Sequence, residues 1–80
     1  MNIPVVDLQS TGCRIRSLRE ARGISVRDLQ VLLGFATPQA IYKWQHGTTL
    51  PTVDNLVALS AIFAVPVDDI LCIRSTKKGG

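Results

Sequence analysis

The sequence predicts an all-α domain built from five short helices. Three observations lead there. Apolar residues recur at three- and four-residue spacing through most of the chain instead of alternating. Capping residues stand ahead of these stretches, at Ser10 or Thr11, Ser25, Thr37 and Thr52. Glycines stand behind three of them, at Gly23, Gly34 and Gly47.

Residues 1–10 read as an apolar N-terminal arm with an early proline. Ser10 or Thr11 caps a first helix over 12–22, with Ile15 and Leu18 facing inward and Gly23 as its left-handed stop. Ser25 caps a second helix over 26–33, and Asp28, three residues on, takes the acid's part in a capping box. Val26, Leu29, Leu32 and Leu33 form its apolar stripe, and Gly34 ends it. Thr37 caps a third helix over 38–46, with Pro38 at the first helical position, where a missing N–H costs nothing. The loop T-T-L-P leads to Thr52, the cap of a fourth helix over 53–64. Its inward face is read as Val53, Leu56, Val57, Leu59, Ser60 and Phe63. Val65 and Pro66 break the chain, and V-D-D-I-L makes a short fifth helix with Asp68 and Asp69 favourably placed in its first turn. The one hint of a strand is a weak alternation in V-V-D-L. The globular domain is thus expected over 11–73, followed by a flexible basic tail over 74–80.

Composition narrows the class of function. A hydrophobic content of 46% suits a globular protein, and a chain of 80 residues makes one small domain with a modest core. No apolar run approaches the ~20 residues of a membrane span. The N-terminal residues lack a basic region followed by an apolar one, so a cytoplasmic location is expected. Cys13 and Cys72 stand far apart and are expected as two reduced thiols. One His and two distant Cys do not make a metal site, and no cofactor is expected. No nucleophile, base and orienting group recur at useful spacing, so the chain is not expected to be an enzyme.

Charge is distributed unevenly. Residues 13–47 hold Arg14, Arg16, Arg19, Arg22, Arg27 and Lys43 against Glu20 and Asp28. Residues 48–73 hold Asp54, Asp68 and Asp69 with no base. One half is basic and the other acidic, which predicts a one-sided footprint for a polyanion.

The second and third helices are separated by little more than G-F-A-T, a turn short enough to force a helix-turn-helix. At 100° per residue, Thr37, Ile41 and Trp44 share one side of the third helix, with Pro38 and Gln45 on its flank. Gln39, Tyr42, Lys43 and His46 share the other. The first set seats the helix; the second offers an amide, a phenol, an ammonium and an imidazole to base edges and phosphates. Gln39, in the first turn, suits an adenine edge, and Lys43 and Tyr42 suit phosphates. His46 suits either a phosphate or the helix's own C-terminus. The helix N-termini after Ser25 and Thr37 can bind phosphate oxygens, with Arg27 beside the first. Arg19 and Arg22 lie close to the Ile15–Leu18 stripe and are expected to serve the core.

The ordered series R-I-R-S-L-R-E-A-R-G-I-S, L-G-F, A-I-Y-K-W-Q-H-G and L-P-T-V-D-N-L-V-A-L-S-A-I-F-A-V-P-V-D-D-I-L covers residues 11–73. It resembles the lambda-repressor-like (Cro/C1, XRE-type) helix-turn-helix transcription regulators. The resemblance implies a compact five-helix bundle whose third helix enters the major groove of double-stranded DNA, often as a homodimer. It also places Thr48 and Thr49 where the family often has basic, phosphate-binding residues. The chain departs from the pattern at four further points. Val26 replaces the Gln that often starts the second helix, Gln30 a small Ala, and Gln45 the acid of W-E-x-G, leaving Arg19 a hydrogen bond in place of an ion pair. The segment T-P-Q-A is one residue longer than the common turn.

The function expected from these residues and this resemblance is sequence-specific DNA binding by a small bacterial or phage transcriptional regulator, through Gln39, Tyr42, Lys43, Thr37, Arg27, His46, Thr48 and Thr49. The alternative is a protein-interaction module, antitoxin-like or a repurposed helix-turn-helix. Its surfaces would be the arm I-P-V-V-D-L and the acidic half, its partner another protein. Helix five, Ile73 and the arm are the expected seams of a homodimer.

Overall fold

Asp7 starts the first helix, α1 (Leu8–Ala21), three residues ahead of the expected serine cap and four ahead of the threonine. Its backbone is extended and its carboxylate accepts the Ser10 N–H at 3.0 Å. Ser10 therefore lies inside the helix. Thr11 is drawn into the core, where its hydroxyl accepts the Cys72 N–H at 2.9 Å. The computed structural model describes residues 3–75. It adds α2 (Val26–Leu33), α3 (Gln39–Gln45), α4 (Val53–Phe63) and α5 (Val67–Ile70), flanked by strands β1 (Pro4–Val6) and β2 (Ile73–Ser75).

The fold is mostly helical with the five expected helices, and two short strands add a small sheet to it. They pair antiparallel, Pro4 with Ser75, Val5 with Arg74 and Val6 with Ile73. The ladder continues into α1 through the Asp7 N–H, which donates to the Cys72 carbonyl at 2.7 Å. Three residues are too few to show an alternating pattern, and Pro4 occupies the strand's first position, one of the few a sheet tolerates. Residues expected as an arm thus form a strand and the first turn of α1. Of the basic tail expected over 74–80, positions 76–80 lie outside the described residues.

All five helices contribute to one core: Ile15, Leu29, Ile41, Trp44, Leu56, Leu59, Phe63 and Ile70. Three expected core residues are exposed instead: Leu32 at 59%, Val53 at 75% and Val57 at 58%. α4 is apolar on most sides, so periodicity alone does not select its inner face. Leu56, Leu59 and Phe63, at i, i+3 and i+7, take it. In α2, Leu29 takes the centre, with Val26 and Leu33 packed half-buried beside it.

The capping box of α2 forms as expected, Ser25 Oγ accepting the Asp28 N–H at 2.9 Å and Asp28 accepting the Ser25 N–H at 3.3 Å. Thr52 caps α4 by accepting the Asn55 N–H. α4 ends at Phe63, one residue short of the expected bound, because Ala64 turns left-handed at φ 57°. Arg22 holds that end, its guanidinium donating to the Phe63 carbonyl from Nε at 2.8 Å and also from Nη2. A Cβ in the left-handed region costs about 1–2 kcal/mol. Ala64→Gly is therefore expected to raise stability by about 0.5–1 kcal/mol after glycine's larger unfolded-state entropy is deducted. An upward shift of the urea midpoint at constant slope would show it; a downward shift would contradict it.

Cys13 is exposed and Cys72 half-buried, both as free thiols. Among the described residues, no helix is long and apolar enough to cross a membrane.

Candidate nucleic-acid interface

The site is built on the α2–turn–α3 unit. Gly34 closes α2 in the left-handed region at φ 74°. Gln30 then clasps the turn: its carbonyl accepts the Phe35 N–H at 3.0 Å and its amide Nε2 donates to the Phe35 carbonyl at 3.2 Å. The larger side chain at this position thus does structural work in the turn. Phe35 packs edge-on to Trp44, ring centroids 5.8 Å apart at 69°.

The start of α3 differs from the expected one. Pro38 is its N-cap and there is no side-chain cap hydrogen bond, so the expected Thr37 cap is not formed. The residue that stands before the first helical N–H is Pro38, which has no side-chain oxygen to offer, and Thr37 is left exposed one position further out.

Ile41 and Trp44 anchor α3 in the core. A polar pin assists them: Arg19, itself buried, donates from Nε to Gln45 Oε1 at 2.9 Å and from Nη1 to the Ile24 carbonyl at 2.8 Å. α1 packs closely against the end of α3. A Cβ on Gly12 would stand 2.2 Å from the Trp44 carbonyl oxygen and 2.8 Å from that of Gln45. Gln9 closes the same seam, its Nε2 donating to the His46 carbonyl at 3.4 Å. Gly12, Gln9, Gln30 and Phe35 are the supports that sequence reasoning missed. Only Gly12 carried a signal, since a glycine inside a helix marks a close backbone approach.

With one side of α3 fixed, the other faces water. Gln39, Tyr42, Lys43 and His46 are all exposed, and the Tyr42 and His46 rings stack. Thr48 and Thr49 are exposed in the loop that follows, and Arg27 is exposed on the first turn of α2. Most of the other arginines of the basic half are committed within the molecule. Arg14 donates to the Asp69 carbonyl at 2.8 Å, Arg16 pairs with Glu20 at 3.3 Å, and Arg19 and Arg22 hold the carbonyls already described. Among the described residues, Arg27 and Lys43 are the cations of this half that make no hydrogen bond or ion pair. Gln39, Tyr42, Lys43 and His46 thus share the exposed side of α3, and Arg27, Thr37, Thr48 and Thr49 are exposed residues of the same unit and the loop after it.

A family model described as helix-turn-helix matches residues 15–70. The chain belongs to the Cro/C1-type helix-turn-helix family of DNA-binding transcription regulators. This is a regulatory family, not a family of enzymes. Among solved structures, the Cro/C1-type chain is similar to the restriction-modification controller protein C.AhdI from Aeromonas hydrophila. The identity is 25% and the TM-score 0.71, over 80% of this chain and 96% of that one. It shares its fold with the DNA-binding domain of BldD, at 21% identity and a TM-score of 0.69, over 82% of this chain and 94% of that one. The S. venezulae BldD DNA-binding domain gives the same identity and TM-score over 97% of its length. No curated protein sequence matches the chain at a significant level.

Proposed function

We propose that the protein binds double-stranded DNA sequence-specifically as a small bacterial or phage transcriptional regulator, with α3 in the major groove. The observation that carries this reading is the division of α3. Gln39, Tyr42, Lys43 and His46 stand exposed on one side of a helix whose other side is held by Ile41, Trp44 and the Arg19–Gln45 pin. Gln39, in the first turn, is the base-reading amide. Lys43 and Arg27 meet phosphates as charges, and Tyr42, Thr37, Thr48 and Thr49 meet them as hydroxyl donors. A regulatory role accords with the similarity to a restriction-modification controller protein. Pairing of two copies, with exposed Ile73 and the short sheet as the seam, belongs to the same reading.

With Arg27 and Lys43 as the uncommitted cations of the basic half among the described residues, the salt dependence is expected to be shallow, a slope of about −2 per protomer in log K against log salt. Lys43→Ala is expected to weaken binding to every duplex alike and to reduce that slope by about 1. Gln39→Ala is expected to cost about 1–3 kcal/mol on the preferred duplex and to relax preference at one base pair. Fluorescence anisotropy titrations at several salt concentrations separate the two effects. Unchanged binding in both variants would sink the assignment of α3. The interaction-module reading predicts instead a tight protein partner and no duplex binding even at low salt.

A further inference from the structure

The aromatic pair on α3 is more specific than a row of independent contacts. Tyr42 and His46 lie one helical turn apart, with ring centroids at 6.3 Å and ring planes within 26° of parallel. Helical side chains lean toward the N-terminus, so the imidazole at i+4 leans back over the phenol at i. Tyr42 is 44% exposed, and a phenol so placed would otherwise explore its rotamers in water.

His46, by contrast, has a backbone held from two directions. Its N–H donates to the Tyr42 carbonyl at 2.9 Å, and its carbonyl accepts from Gln9 of α1. Gly47 follows at φ 74°, with the Gln9 side chain so close that a Cβ there would stand 2.9 Å from it. α1 thus fixes the residue that carries the imidazole, and the imidazole lies against Tyr42.

We propose that His46 is a positioning residue, whose ring holds the Tyr42 phenol in place on the recognition face so that Tyr42, and not His46, touches the nucleic acid. This rests on the reading of α3 as a DNA-binding helix. The imidazole acts through its ring face, so another planar ring serves in its place.

The test is a double-mutant cycle over Tyr42→Ala and His46→Ala, with His46→Phe as the conservative variant. Binding is read by anisotropy on a duplex selected from a random-sequence pool, and the free proteins are followed by NMR. His46→Ala is expected to lower affinity about three- to tenfold, the range of a single aromatic pair. His46→Phe is expected to bind within about twofold of wild type, and His46→Ala to have no further effect once Tyr42 is Ala. In the free protein, Tyr42 is expected to occupy one χ1 rotamer in wild type and His46→Phe, and to average among rotamers in His46→Ala. A His46→Phe variant as weak as His46→Ala, or losses that add across the cycle, would mean that the imidazole contacts DNA directly and would overturn the proposal. So would a Tyr42 rotamer unchanged by His46→Ala. A wild-type protein that binds no duplex, while His46→Ala still frees Tyr42, supports the positioning role and overturns the DNA-binding function.

Discussion

Gly12→Ala is expected to destabilise the protein by about 3 kcal/mol, against a total of about 4–12 kcal/mol for a domain of this size. The direction runs against propensity. Alanine in a helix interior is normally better than glycine by about 1 kcal/mol. At Gly12 the added methyl would lie 2.2 Å from the Trp44 carbonyl oxygen and 2.8 Å from the Gln45 oxygen. Both are backbone atoms, so no side-chain rotation relieves the contact, and α1 and α3 must separate. The core at Ile15, Ile41 and Trp44 would open with them. Gly23→Ala is the control: φ there is +67° with nothing within 4 Å of the new Cβ, so only the left-handed backbone is strained, at about 1–2 kcal/mol. Urea unfolding of the two variants makes the comparison. A Gly12→Ala midpoint at or above wild type would show that the α1–α3 approach is not tight.

Arg19→Met carries the second large effect, an expected loss of about 2 kcal/mol and a fall in Tm of about 10 °C. Methionine can fill the space of the aliphatic stem, but it donates to nothing. Gln45 Oε1 and the Ile24 carbonyl then lose the guanidinium that reaches them at 2.9 and 2.8 Å. Those two acceptors belong to the end of α3 and to the α1–α2 connection, so one side chain ties three helices together. Arg19→Lys is expected to recover only part of the loss, because a single ammonium does not span two acceptors as a planar fork does. Duplex affinity is expected to fall in both variants without any change in which base pairs are preferred. Thermal unfolding and anisotropy on the same samples check this. A stable Arg19→Met protein would show that Ile41 and Trp44 seat α3 unaided.

Local signals carried much of the fold into view. The Ser25–Asp28 capping box, the Gly34 stop, the Thr52 cap and the Ile41–Trp44 face all depend on residues within one or two turns of each other. Such features are legible because their physics is local. The pairing of Pro4–Val6 with Ile73–Ser75 is not, since three-residue strands lack a period and their partners lie at opposite ends of the chain. The same holds for Thr11, which looks like a cap but bonds Cys72, and for Asp7, which takes the cap in its place. Val53 and Val57 face water against the expected pattern because α4 is apolar on most sides and only its neighbours determine which side turns inward. In the candidate site, the outward set Gln39, Tyr42, Lys43 and His46 could be read from a helical wheel. Of its supports only Gly12, a glycine inside a helix, left a local signal; Gln9, Gln30 and Phe35 act through contacts with α3 or its turn that spacing along the chain does not encode.

Selection of bound fragments from a random-sequence duplex pool at two salt concentrations tests whether the α3 face reads DNA. Enrichment of one sequence is expected at both, weaker at high salt, with Gln39→Ala losing preference at a single base pair within it. No enrichment at low salt, where the phosphate contacts are strongest, would contradict that reading.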